Sequence, residues 1–170
     1  YNWDTIDEQM NWCQATGLRI CAGPLVALQK TTVPDWIYLW DESYKEVCAS
    51  ALRFVEAAVR RYRERVHIWH CTAGLNINDA VSLEEHERLQ LAFKVLQTVR
   101  ESDTATPLIV SFDRPWGEYL AQGSFDLSPL HFADELVRAE LGVAGIGLEL
   151  NLGYAPTGTP YRDLLTINRQ

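Results

Sequence analysis

Four side chains suited to proton transfer or ligand binding, Asp113, Arg114, Trp116 and Glu118, stand close together in the run SFDRPWGEY. They follow the apolar stretch Pro107–Phe112, so a buried strand delivers them into a polar turn. Trp116 offers a flat apolar face for stacking on a ligand ring, and its charged neighbours offer hydrogen bonds to polar groups. The same residues also read as a plain turn, closed by an Asp113–Arg114 ion pair and shaped by Pro115 and Gly117. A second set ends the run GLELN, where Glu149 stands among Ile146, Leu148 and Leu150, with Asn151 after it. A carboxyl in apolar surroundings holds its proton more readily and can act as a general acid; paired with an Arg or Lys it is only structure. Glu149 and Glu118 are the candidate catalytic carboxylates.

A third set lies in RVHIWHCTAGLN, residues 65–76. His70 and Thr72 alternate with Cys71, which predicts that they share one face of a strand while Cys71 packs on the other. Asn76 comes next in the turn, and Asn78 and Asp79 either bind hydroxyls or shape the approach to the next helix. Gln29 and Lys30, beyond an earlier strand, complete the expected ligand contacts. Trp36, Tyr38 and Trp40 are expected to pack a loop onto the rim, and Trp3 and Trp12 to pack the first helix.

The elements that carry these residues alternate two periodicities. Helical spacing marks Asp4–Ala15, Glu42–Arg65, a helix opened by a capping box at Ser82 and Glu85, and a helix from Ser128-Pro129 to about Leu141. Short apolar runs at Leu18–Ala22, Val66–Thr72, Pro107–Phe112 and Val143–Leu150 predict strands, with a loop from Leu25 onward. Asn151–Thr159 reads as a loop and Tyr161 onward as helix. The order α-β-α-β-α-β-α-β-α predicts a parallel sheet with right-handed crossovers. Two α/β architectures fit: a segment of about four βα units of a (β/α)8 TIM barrel, or an open doubly wound sheet. Long polar loops after the strands favour the barrel.

Composition narrows the partners. The 170 residues are 47% apolar and 22% charged, with a formal net charge of −8, and no composition shift marks a second domain over residues 1–170. Net acidity argues against nucleic acid or an anionic membrane surface, both of which need a basic footprint; RRYRER reads as a solvated helix end. No apolar run is long enough for a membrane span, and the chain fixes no compartment, leaving secreted and periplasmic locations open. The four cysteines, Cys13, Cys21, Cys48 and Cys71, form no close pair, and His70 has no second ligand at matching spacing, so no metal or cofactor is expected.

Several motifs then line up. Gly17-Leu18-Arg19-Ile20 leads to Gly23, Pro34-Asp35-Trp36 comes after it, Arg61-Tyr62 precedes Trp69-His70-Cys71-Thr72-Ala73-Gly74, and Gly145-Ile146-Gly147-Leu148-Glu149 comes later. From Tyr1 to Leu152 the chain resembles the middle of a family 10 glycoside hydrolase, the xylanase-type barrel of clan A. The resemblance implies barrel strands three to six, a glycan ligand with xylan as the family default, and no cofactor. It also implies that Gly74 stands where the family carries its acid/base glutamate and Ala73 where an asparagine precedes it. The family's tryptophan-histidine pair becomes roughly Leu28-Gln29, and its nucleophile belongs to a seventh strand outside these residues. Retaining glycosidases need two carboxylates about 5–5.5 Å apart, so a hydrolase and a non-catalytic glycan-binding or scaffold barrel are both compatible with the chain. Half a barrel leaves strand edges open, which predicts association with the remainder of the same barrel or with another subunit.

Overall fold

The computed structural model describes residues 1–29, 32–33, 43–77, 80–117, 120 and 126–150. The elements are α1 (Asp4–Ala15), β1 (Cys21–Ala22), β2 (Val26–Ala27), α2 (Tyr44–Tyr62), β3 (Ile68–Ala73), α3 (Glu85–Ser102), β4 (Leu108–Phe112), α4 (Pro129–Arg138) and β5 (Val143–Leu148). The strands run parallel in the order β1-β3-β4-β5, with β2 also pairing with β3. Spatial order therefore matches chain order with no reversal. A doubly wound sheet needs such a reversal, so this is the singly wound arrangement of a barrel, and among the described residues the sheet is not closed.

One face of the sheet is dry. Leu108, Val110 and Phe112 alternate into the core of buried side chains from α2, α3 and α4, and Phe112 meets Phe132 of α4 edge to face at 5.7 Å. Ile109 and Ser111, the intervening residues of β4, are only half-buried on the other face. Helix α2 puts Val47, Cys48, Val55, Ala58, Val59 and Tyr62 into the core at helical spacing. It starts when Ser43, in extended conformation, accepts from the Glu46 N–H at 3.4 Å. Ser128 caps α4 in the same way, accepting from the His131 N–H at 3.2 Å.

Three expectations are corrected here. The first predicted strand is two, β1 and β2, separated at Gly23-Pro24, so part of the expected loop is sheet. Gly23 (φ 137°) is required because a Cβ there would stand 2.1 Å from the His70 carbonyl oxygen. The capping box of α3 is Glu84 with Glu87, whose carboxylate accepts from the Glu84 N–H at 2.9 Å. Glu85 instead reaches across to accept from the N–H groups of Asp126 and Leu127 at 3.0 and 2.8 Å. Trp12 is 62% exposed, since α1 turns it away from the sheet; Trp3 does pack, stacked on Phe54 at 5.8 Å and edge-on to Tyr62 at 5.7 Å. Trp36, Tyr38, Trp40, Asn78, Asp79 and the segment from Asn151 lie outside the described residues.

Candidate functional site

The strand ends are brought together by β3 and β4. Their pairing carries an irregularity between His70 and Thr72: His70 pairs with Ile109, but Thr72 pairs with Val110 and Ala73 with Ser111. One extra residue on β3 reverses the facing of the residues after it. Ala73, not the expected Thr72, therefore shares the open face with His70, and Thr72 is buried at 3% exposure.

On that face His70 Nε2 lies 2.8 Å from Ser111 Oγ. Burial holds the imidazole below its ordinary value of 6.5, although a hydrogen bond with the Thr72 backbone works the other way. The neutral ring is thus the form the fold prefers. Gly145 and Gly147 of β5 pair with Ile109 and Ser111. A Cβ on Gly147 would come within 3.0 Å of the Ser111 Cβ, so the glycine keeps the space beside Ser111 clear.

One layer higher, Asp113 continues β4 on the same face two residues beyond Ser111. Its carboxylate Oδ2 accepts from Gln29 Nε2 at 2.8 Å, joining the ends of β2 and β4. Its main chain is strapped by Asn76: the Asp113 N–H donates to Asn76 Oδ1 at 3.2 Å, and the Asn76 amide donates to the Asp113 carbonyl at 2.8 Å. Asn76 is only 1% exposed and holds the Asp113 main chain from below. Gly74, at φ 64°, passes directly under the carboxylate: a Cβ on it would stand 2.5 Å from Asp113 Oδ2.

The Asp113–Arg114 ion pair of the plain-turn alternative does not form. Among the described residues the ion pairs are Arg60–Glu56, Arg61–Asp7 and Arg138–Asp134. Arg114 is exposed and adopts φ 47°, a left-handed conformation uncommon for a residue with a side chain. Trp116 is half-buried, and its indole Nε1 has no hydrogen-bond partner among the described residues. Glu149 is exposed just past β5, where its N–H extends the ladder by donating to the Phe112 carbonyl at 2.9 Å. Lys30, Glu118 and Asn151 lie outside the described residues. Gln29, His70, Asn76 and Asp113 are therefore brought together at the strand ends, with Arg114 and Trp116 on the turn beside them. Ser111 is the member that sequence reasoning missed; a lone serine in a strand carries no signal until the register shows His70 beside it.

Two apolar cavities, about 370 and 700 Å³, lie elsewhere, along the β1–β2 edge between the sheet and helices α1 and α2. Among the described residues no group of three or more His, Cys, Asp or Glu comes together to hold a metal ion. Cys48 and Cys71 are buried, Cys13 half-buried and Cys21 exposed, all as free thiols, with burial pushing Cys71 up to about 12. No described helix is long and apolar enough to cross a membrane.

Parallel strands in chain order, packed on one face by their crossover helices, define a segment of a (β/α)8 barrel. Solved family 10 xylanases share this fold. Xylanase 10B from Thermotoga maritima superposes with a TM-score of 0.70 at 16% identity, over 91% of this chain and 47% of that one. Xylanase 10B from Thermotoga petrophila RKU-1, solved with xylobiose, gives 0.70 at 16% identity, over 89% of this chain and 46% of that one. A psychrophilic family 10 endo-β-1,4-xylanase gives 0.66 at 19% identity over 89% of this chain and 50% of that one. The chain thus spans about half the length of these structures. By sequence, no family profile and no curated protein matches it.

Proposed function

We propose that the chain is part of a glycoside hydrolase-like barrel that binds and processes a glycan, with a xylan-type polysaccharide as the first candidate. The observation that carries this reading is the cluster at the C-terminal ends of β2, β3 and β4. Gln29, His70, Ser111 and Asp113 form paired hydrogen-bonding groups there, on the face where barrel enzymes collect their chemistry. Such groups match sugar hydroxyls, which both donate and accept, and Trp116 stands beside them to stack on a ring. Lys30, Glu118, Glu149 and Asn151 remain proposed contacts around this cluster.

The open sheet supports a further part of the same reading, that residues 1–170 form one domain's share of a larger barrel completed by more chain or by another subunit. Ile146 and Leu148 are 46% and 40% exposed although they pair with buried Val110 and Phe112, so β5 offers an apolar surface to a neighbouring element.

A second reading, a non-catalytic glycan-binding barrel, is favoured by one observation: Gly74 puts no side chain at the end of β3. The experiment that separates the possibilities titrates the full-length protein with xylo-oligosaccharides and cello-oligosaccharides, and measures release of reducing ends from the polysaccharides. Binding with turnover supports the hydrolase, and binding without turnover the scaffold. Absence of both binding and turnover on every glycan tested would refute the proposal.

A further inference from the structure

Asp113 differs from an ordinary turn aspartate in three respects. Its two carboxylate oxygens are unequal: Oδ2 is locked by the Gln29 amide at 2.8 Å, whereas Oδ1 has no hydrogen-bond partner among the described residues. Among those residues no cation pairs with it, and its sequence neighbour Arg114 is exposed in a left-handed backbone conformation. Its main chain is held rigidly on both sides by the buried Asn76 amide.

The surroundings are shaped around that carboxylate. The atoms that a side chain on residue 74 would displace are Asp113 Oδ2 at 2.5 Å, Asp113 Cγ at 3.1 Å and Gln29 Nε2 at 3.3 Å. Gly74 therefore opens the end of β3, and β4 fills the opening with a carboxylate. Below it, His70 and Ser111 satisfy each other at 2.8 Å and leave Asp113 as the ionisable group of the cluster with an oxygen to spare. A half-buried carboxyl with one oxygen fixed and one free is oriented to give and take a proton along a single direction.

We propose that Asp113 is the general acid/base of this site, acting on the glycosidic oxygen of a bound glycan; the inference rests on the glycan reading above. As the glycosidic C–O bond breaks, its electron pair stays on the oxygen, which takes the proton from Asp113. Water supplies the oxygen that bonds to the anomeric carbon, and the proton it loses restores the Asp113 carboxyl. Gln29 is a positioning residue that fixes which oxygen carries the proton.

The test compares wild type with Asp113→Asn in the full-length protein on two substrates: xylan, whose leaving group needs a proton, and a dinitrophenyl xyloside, whose leaving group departs without one. General acid catalysis is worth roughly 10²–10⁴-fold. The expected result is a loss of that order in kcat on xylan and at most a few-fold loss on the dinitrophenyl xyloside. Equal losses on both substrates would make Asp113 merely structural and overturn the proposal. If Asp113→Asn fails to fold, Asp113→Ala with added formate replaces it: recovery of rate supports the proposal and absence of recovery overturns it. A wild type that binds xylan but cleaves neither substrate overturns the acid/base role while leaving the glycan reading in place. A wild type that binds no glycan overturns both.

Discussion

Replacing Gly74 with alanine tests whether the end of β3 is built around Asp113. Two costs arise from the geometry. At φ 64° an alanine sits in the left-handed region, which costs about 1–2 kcal/mol. Its Cβ would also stand 2.5 Å from Asp113 Oδ2, so the carboxylate must leave and the Gln29 bond at 2.8 Å is lost. A hydrogen bond to a charged group is worth about 1.5–3 kcal/mol, and the low end applies because Asp113 is only half-buried. The sum is roughly 3 kcal/mol, or a fall in Tm of about 6–12 °C for a domain of this size. Asp113→Ala alone loses only the hydrogen bond, about 1.5 kcal/mol. The double variant loses the bond once and the backbone term once, so it should unfold close to Gly74→Ala, about 1.5 kcal/mol more stable than additivity requires. Urea unfolding of the four proteins measures this cycle. Strict additivity, or a Gly74→Ala variant within about 0.5 kcal/mol of wild type, would refute the packing argument.

Other outcomes are expected from the same structure. Trp69, 1% exposed, donates its indole N–H to Asp103 Oδ2 at 2.9 Å, so Asp103→Ala should cost about 1–3 kcal/mol by leaving that donor buried and unpaired. Burial pushes the Asp103 carboxyl up, but hydrogen bonds from Thr106, Trp69 and the Ala105 N–H outweigh it and hold the group below 3.8. Its contribution to stability is therefore complete above that pH and lost as pH falls below it, and Asp103→Asn should flatten the acid limb of the stability curve. For His70, held below 6.5 by burial, the unfolded state takes the proton first. Stability should therefore drop as pH falls below about 6.5, and a His70→Gln variant showing the same slope would contradict this. Leu96, fully buried in α3, should cost about 2–5 kcal/mol when cut to alanine, read by thermal unfolding.

Helices α2 and α4 were legible because their apolar spacing, and for α4 the Ser128-Pro129 start, are local properties of the chain, whereas the Ser43 cap of α2 shows only in the structure. Parallel order was legible because strands alternate with helices long enough to cross back. The details that set the site were not local. The extra residue between His70 and Thr72 exists only in the pairing of β3 with β4, and it decides that Ala73 rather than Thr72 faces the open side. The bond from Gln29 to Asp113 joins residues 84 apart in sequence, and Gly74 gains its meaning only from the carboxylate that lies above it. The capping box moved by two residues because Glu85 is drawn away to the Asp126 and Leu127 N–H groups. Asp113, Arg114 and Trp116 were visible as a polar turn, yet the ion pair suggested by their adjacency gives way to the left-handed backbone at Arg114.

The central claim is that the C-terminal strand ends form a glycan site with Asp113 at its centre. A crystal structure of the full-length protein soaked with a xylo-oligosaccharide tests it most directly. A saccharide oxygen is expected about 2.6–3.2 Å from the Asp113 oxygen that Gln29 leaves free. A saccharide bound away from β3 and β4, or none at saturating concentration, would contradict it.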